Sequence, residues 1–194
     1  MAIGGDLSVE RILLAYRKGI FPWFEGTTPL WWSPNPRFVL FPNKLFVSKS
    51  MRQVIKSNKF HFTINQSFSE VIHSCKIQRR EGQFGTWITH EVEASYTQLH
   101  QMGYAHSAEC WLNNDLVGGL YGIRLGKVFF GESMFSKSSN ASKFAFINYV
   151  NQLISEGVQL IDCQVYTNHL ESLGAEMIHR KDFIQLLADY DADR

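Results

Sequence analysis

AHSAECWLNNDLVGGLYGIRLGKVFFGESMF, residues Ala105 to Phe135, is the stretch on which the fold turns. Two polar breaks divide it, N-N-D at Asn113–Asp115 and L-G-K at Leu125–Lys127. Between them lie runs of apolar and aromatic residues of strand length. Such runs joined by short Asn/Gly turns predict a three-strand antiparallel meander. After it, Ser142 to Glu156 carries Phe146, Ile147, Val150, Leu153 and Ile154 at helical spacing. Leu160 to Val165 then suits a buried strand, His169 to Leu173 a short helix closed by Gly174, and Lys181 to Tyr190 a last helix. Before the meander, Thr89 caps a helix that runs to Met102, with Val92, Tyr96 and Leu99 on one face and Gly103 as its stop. RREGQFGTW, Arg79 to Trp87, is a loop. Helices over 69–78 and 48–57 flank a strand at Lys59–Ile64. The first helix, residues 6–18, has the stripe Leu7, Ile12, Leu13 and Tyr16 and ends at Gly19.

Between Phe21 and Pro36 the chain holds Pro22, Pro29, Pro34 and Pro36 with Trp23, Trp31 and Trp32. This is a rigid aromatic loop, and it places a boundary near Pro36: a small unit at 1–36 and a main domain at 37–194. The element order gives an α+β class with a mixed sheet, and it resembles the order of an acetyltransferase-like (GNAT) core. With 194 residues, 45% of them hydrophobic, the chain has enough apolar material for that core. A net charge of +1 argues against wide, charge-driven nucleic-acid binding and leaves room for a grip on one nucleic-acid end. Cys75, Cys110 and Cys163 form neither a CxxC nor an even framework, so reduced thiols, no zinc and a cytoplasmic setting are expected. No apolar run is long enough to span a membrane.

Four places can carry chemistry. In L-I-D-C-Q-V, Asp162 and Gln164 lie two apart in a strand and so share a face. A buried carboxylate there needs a partner. The pair suits the positioning of an amine, and it equally suits the polar face of a half-exposed sheet. In FFGESMFS, Gly131 permits a bulge or the close approach of a ligand, Glu132 sits among apolar residues, and Met134 can line a pocket. KSSNASK leads into a helix, where it can hold a phosphate or simply cap. The rings of Tyr16, Trp23, Trp31, Trp32, Trp87 and Tyr96 suit base stacking or interdomain packing. The pyrophosphate loop of coenzyme A-dependent acetyltransferases is absent.

The runs GGDLSVERILLAYRKGIFPWF, PLWWSPNPRFVL, GTWIT, LVGGLYGI, FFGESMFS, NASK, LIDCQ and SLGA, in this order along nearly the whole chain, resemble the leucyl/phenylalanyl-tRNA–protein transferase family. The resemblance implies transfer of Leu or Phe from its tRNA onto an N-terminal Arg or Lys, which marks the acceptor protein for degradation. It implies an acetyltransferase-like main domain with a small N-terminal one, here shortened. It implies Asp162 and Gln164 as the catalytic pair, with Asp162 hydrogen-bonded to Gln164. Trp23, Trp87, Tyr16 and Tyr96 would surround the 3′ adenosine of the tRNA. Phe129, Gly131, Met134 and Ile161 would form the Leu/Phe pocket, and Glu132 would contact the acceptor's basic residue. No cofactor and no metal is implied. An N-acyltransferase using acetyl-coenzyme A and a non-catalytic module binding peptides or tRNA ends are the other readings.

Overall fold

The computed structural model describes residues 1–78 and 86–190. Most of the loop expected over Arg79–Trp87 therefore lies outside the described residues. In chain order the elements are β1 (Ala2–Ile3), α1 (Val9–Arg17), β2 (Phe21–Pro22), β3 (Leu30–Trp32), β4 (Arg37–Leu40), α2 (Lys49–Lys56), β5 (His61–Ile64), α3 (Phe68–Ile77), α4 (His90–Gln101), β6 (Ala105–Leu112), β7 (Asp115–Leu125), β8 (Val128–Ser136), α5 (Ala141–Ser155), β9 (Leu160–Gln164), α6 (Asn168–Glu171), β10 (Glu176–Ile178) and α7 (Arg180–Asp189).

The meander forms as its turns dictate: Asn113 and Asn114 take positive φ, as does Gly126 in the second turn. It becomes the middle of a seven-stranded sheet of order β10-β4-β9-β8-β7-β6-β5. All neighbours in it are antiparallel except β8 and β9, which run parallel because α5 carries the chain across between them. A separate three-stranded sheet, β1-β3-β2, gathers the first residues. The aromatic segment after Gly19 is thus partly strand, and β4 and β10 add two strands that local periodicity does not announce. The meander, long helix and parallel strand make up the element order on which the acetyltransferase-like resemblance rests.

Strand alternation sorts the core into two layers. Val39, Phe130 and Leu160 face a layer holding Ile12, Val71, Val92 and Phe183 from α1, α3, α4 and α7. Phe38, Phe129 and Ile161 face a second layer holding Met51, Ile147 and Val150 from α2 and α5. Trp31, Phe21 and Phe24 of the N-terminal segment belong to the first layer, so that segment packs into the main core. Thr89 caps α4 as expected, accepting from Val92 N at 3.2 Å.

Two irregularities open the sheet. On β8, Tyr121 faces Ser133 and Gly122 faces Gly131, leaving Glu132 as the extra residue of a bulge. On β9, Phe38 faces Gln164 and Val39 faces Asp162, leaving Cys163 extra. The β8–β9 ladder stops at Phe130 opposite Asp162. Beyond that point the two strands part.

Candidate functional site

The parting strands floor a cavity of about 410 Å³. Gly131, Glu132 and Met134 line it from β8, Ile161 and Gln164 from β9, and Phe146 from α5. Gly131 has the room its sequence context suggests: a Cβ there would meet nothing nearer than the Asp162 carbonyl oxygen at 3.6 Å. Phe129 sits one layer behind this wall, buried, with its ring edge-on to Tyr149 at 5.1 Å. Three of the four residues expected in an apolar pocket therefore line the cavity, and the fourth backs it.

Asp162 is wholly buried. Its partner is Arg37, which the sequence reading did not single out. Arg37 Nε donates to Oδ1 at 2.8 Å and Nη2 to Oδ2 at 2.6 Å. The guanidinium lies over the rings of Phe21 at 4.7 Å and Phe183 at 4.5 Å, and Nη1 donates to the Gly19 carbonyl at 3.1 Å. Planar bidentate geometry with stacked rings is what Arg, and not Lys, supplies. A single Arg at the head of the apolar run R-F-V-L was the available signal.

Asp162 is linked to Gln164 through the main chain and not through the side-chain amide: Gln164 N donates to Oδ1 at 2.9 Å. The two-residue spacing survives in altered form, because Cys163 is bulged and Gln164 takes φ 64°. Val165 N donates to the Cys163 carbonyl at 2.7 Å, closing a γ-turn around Gln164. The strand ends in this turn, and Gln164 Nε2 donates to Glu132 Oε1 at 3.0 Å.

Glu132 is the hub. Tyr16 Oη donates to its Oε1 at 2.6 Å, Tyr96 Oη lies 3.1 Å from Oε2, and the two hydroxyls are 2.8 Å apart. Both tyrosines are fully buried. Their rings are enclosed by the core, and their hydroxyls hold the carboxylate. Both hydroxyls can donate to the carboxylate, and when Glu132 carries a proton it can donate to Tyr96 while Tyr96 donates to Tyr16. Burial pushes the Glu132 carboxyl up to about 8, and the nearby Asp162 charge adds to this against the hydrogen bonds from Tyr16, Tyr96 and Gln164. Burial likewise raises both tyrosines well above their usual range, so they remain phenols.

The expected tryptophan pair is divided between surface and core. Trp23 is 44% exposed and meets Trp32 edge-on. Trp87 is buried in the first core layer, edge-on to Tyr96 at 6.4 Å. Its place in a loop did not keep it out of the core, since the loop end folds its ring onto α4. Among the described residues no cluster of His, Cys, Asp and Glu could hold a metal, and no helix is long and apolar enough to cross a membrane.

A family model described as leucyl/phenylalanyl-tRNA protein transferase matches residues 39–188, and one described as the N-terminal domain of that protein matches residues 5–35. The chain belongs to the leucyl/phenylalanyl-tRNA protein transferase family. A leucyl/phenylalanyl-tRNA–protein transferase of Christiangramia forsetii is 58% identical over 190 residues, covering 96% of this chain and 90% of the relative. Transferases of the same name from Flavobacterium psychrophilum and Syntrophobacter fumaroxidans are 55% and 53% identical, covering 96% and 97% of this chain and 89% and 81% of theirs. Among solved structures, a functionally unknown conserved protein from Staphylococcus epidermidis has a TM-score of 0.50 at 9% identity, over 74% of this chain and 57% of that one. That is a likeness of fold alone. Within the transferase family's chain, the cavity, the Glu132 hub and the Arg37–Asp162 clamp all lie in the segment matched by the two models or in the short join between them.

Proposed function

We infer that this chain is an aminoacyltransferase that moves Leu or Phe from aminoacyl-tRNA to the N-terminus of an acceptor protein, forming a peptide bond. The observation that carries the reading is the apolar cavity walled by Gly131, Met134 and Ile161 and ending at two polar groups, Gln164 and Glu132. An apolar side chain fits the first part. An ester carbonyl and an incoming amine meet at the second. The donor ester is already activated, so orientation of the amine supplies much of what the reaction needs. Gln164 Oε1 has no partner among the described residues and can accept from the amine. Asp162 has its oxygens taken by Arg37 and by Gln164 N, so its part is to fix the turn that presents Gln164.

The remaining assignments belong to the same reading. Trp23, through its exposed ring, and Trp87 serve the 3′ adenosine, with Tyr16 and Tyr96 acting through Glu132. Acceptors begin with Arg or Lys and are marked for degradation in the cytoplasm, and Glu132 faces the acceptor's first residue. Residues 1–36 form a small unit beside an acetyltransferase-like catalytic unit, 37–194. The test is mass spectrometry of an Arg-initiated peptide incubated with the protein and Leu-tRNA, beside a tube with acetyl-coenzyme A. Addition of one leucine in the first tube alone is expected. An acetyl adduct in the second tube would select a coenzyme A-dependent acyltransferase, and binding without either product would select a non-catalytic module.

A further inference from the structure

We propose that the start of α5 holds a phosphate of the donor tRNA's 3′ end, the one on the 5′ side of the terminal adenosine, through the Ser142 hydroxyl, the Lys143 main-chain N–H and the Lys143 ammonium. The proposal deepens the aminoacyltransferase reading and rests on it. α5 runs for 15 residues from Ala141. A helix of that length directs free N–H groups and a partial positive charge out of its first turn. Its own residues do not close this end: Asn140 precedes the helix at φ 68° and makes no side-chain cap bond. Ala141 N donates to the Ser138 carbonyl at 3.0 Å, Ser142 N to Ser136 Oγ at 3.3 Å and Phe144 N to the Asn140 carbonyl at 2.8 Å. Lys143 N has no acceptor among the described residues. The helix end does not stand alone. Ser142 is only 8% exposed and lines the cavity, yet its hydroxyl makes no hydrogen bond among the described residues. A buried hydroxyl without a partner costs free energy that a ligand's oxygen can restore.

Charge collects at the same place. Residues 133–155 contain Lys137 and Lys143 and no acid. Lys143 Nζ donates to the Ser172 hydroxyl at 3.3 Å and to no carboxylate. His169 faces the cavity from α6, its Nε2 buried and without a partner among the described residues. Burial and the Lys143 charge both hold its imidazole below the usual range, and no acid offsets them. The acids nearby are engaged elsewhere or uncharged. Glu171 accepts from Tyr166 Oη at 2.7 Å, and Asp162 is matched by Arg37. Glu132, pushed up to about 8, is largely protonated at neutral pH. The result is a cationic, partly desolvated corner with open donors and no anion of its own. Its position fits a nucleotide. Ser136, which accepts from Ser142 N, lies four residues along β8 from Glu132, about 13 Å at the usual strand rise. One nucleotide and its ester bridge such a span, with the aminoacyl group in the apolar part of the cavity and the phosphate at the α5 end.

The test follows leucine transfer from Leu-tRNA to an Arg-initiated peptide by the full chain, in the presence of two competitors. One is 3′-leucylamino-3′-deoxyadenosine, whose amide is not transferred. The other is the same compound carrying a 5′-phosphate. Expected is inhibition about tenfold tighter with the phosphate, the order that a charge-assisted hydrogen bond supplies. Ser142→Ala and Lys143→Gln should each cut that ratio by about threefold, and together should bring it below about twofold. Both variants keep the first turn, because its bonds run through main-chain N–H groups. Thermal melting checks that the fold is retained. A change that only reshapes the cavity weakens both compounds alike and leaves their ratio intact, so the ratio separates a phosphate contact from a structural role. Equal inhibition by the two compounds in the unaltered protein, no inhibition by the phosphorylated one, or a ratio that survives the double substitution would each overturn the proposal. If the unaltered protein transfers no leucine from Leu-tRNA, the aminoacyltransferase reading itself fails, a result distinct from a flat ratio.

Discussion

Arg37→Met is the substitution that most directly probes how the site is held. It removes two charge-assisted hydrogen bonds to Asp162, at 2.8 and 2.6 Å, and leaves the wholly buried carboxylate with only the Gln164 N–H. It also strips the Gly19 carbonyl of its partner and the Phe21 and Phe183 rings of their cation. Breaking a buried ion pair from one side costs about 3–5 kcal/mol, because the remaining charge is neither solvated nor paired. For a chain of this size that corresponds to a fall in Tm of roughly 6–20 °C. Asp162→Leu should cost a similar amount by stranding Arg37. The double variant should be milder than the sum of the two, since an apolar pair of like volume is often neutral or stabilising. Urea unfolding followed by tryptophan fluorescence, carried out as a double-mutant cycle, gives all four numbers. Additive losses, or a single-variant loss under about 1 kcal/mol, would show that the pair is not a coupled buried unit in solution.

Gly131→Ala should leave stability within about 1 kcal/mol, because the new methyl meets nothing closer than 3.6 Å, but it takes space in the cavity. Phe transfer should then fall more than Leu transfer, by about tenfold in relative kcat/KM, measured with the two aminoacyl-tRNAs. Thr89→Ala removes the oxygen that accepts from Val92 N and should cost about 1 kcal/mol in urea unfolding. The folded-state pKa of Glu132 is raised from the ordinary 4.5 to about 8, so its contribution to stability is complete below the unfolded value and is lost as pH rises through 8. Glu132→Gln, which cannot ionise, should gain on the parent protein steadily between pH 5 and pH 9 in urea midpoints; parallel curves would place that pKa elsewhere.

What could be read from sequence was what repeats locally. The meander, α5 and the caps of α4 all follow from spacing and turn residues within about thirty positions. Asp162, Gln164 and Glu132 stood out because polar groups interrupt apolar strands. Arg37 did not, since its partner is 125 positions away and β4 and β10 are too short to carry a period. Tyr16 and Tyr96 were visible as members of helical stripes. Their stripe position says they are buried; only the crossing of α1 and α4 over the β8 bulge says that their hydroxyls meet at one carboxylate. The strand rule for Asp162 and Gln164 gave a shared face, but the bulge at Cys163 turned a side-chain contact into a main-chain one.

If Gln164 acts as proposed, the γ-turn there sets stability and activity against each other. A non-glycine residue at φ 64° is strained by roughly 1–2 kcal/mol, and a glycine would relax it. Any search for tougher versions of this protein that ranks variants by melting temperature alone will therefore tend to favour glycine at position 164. The winners of such a search would keep the cavity and the Arg37 clamp while losing the amide proposed to meet the incoming amine. Under the proposed mechanism, thermal hardening and catalytic competence have to be selected together at this one residue, because here the backbone prefers no side chain and the proposed chemistry requires one.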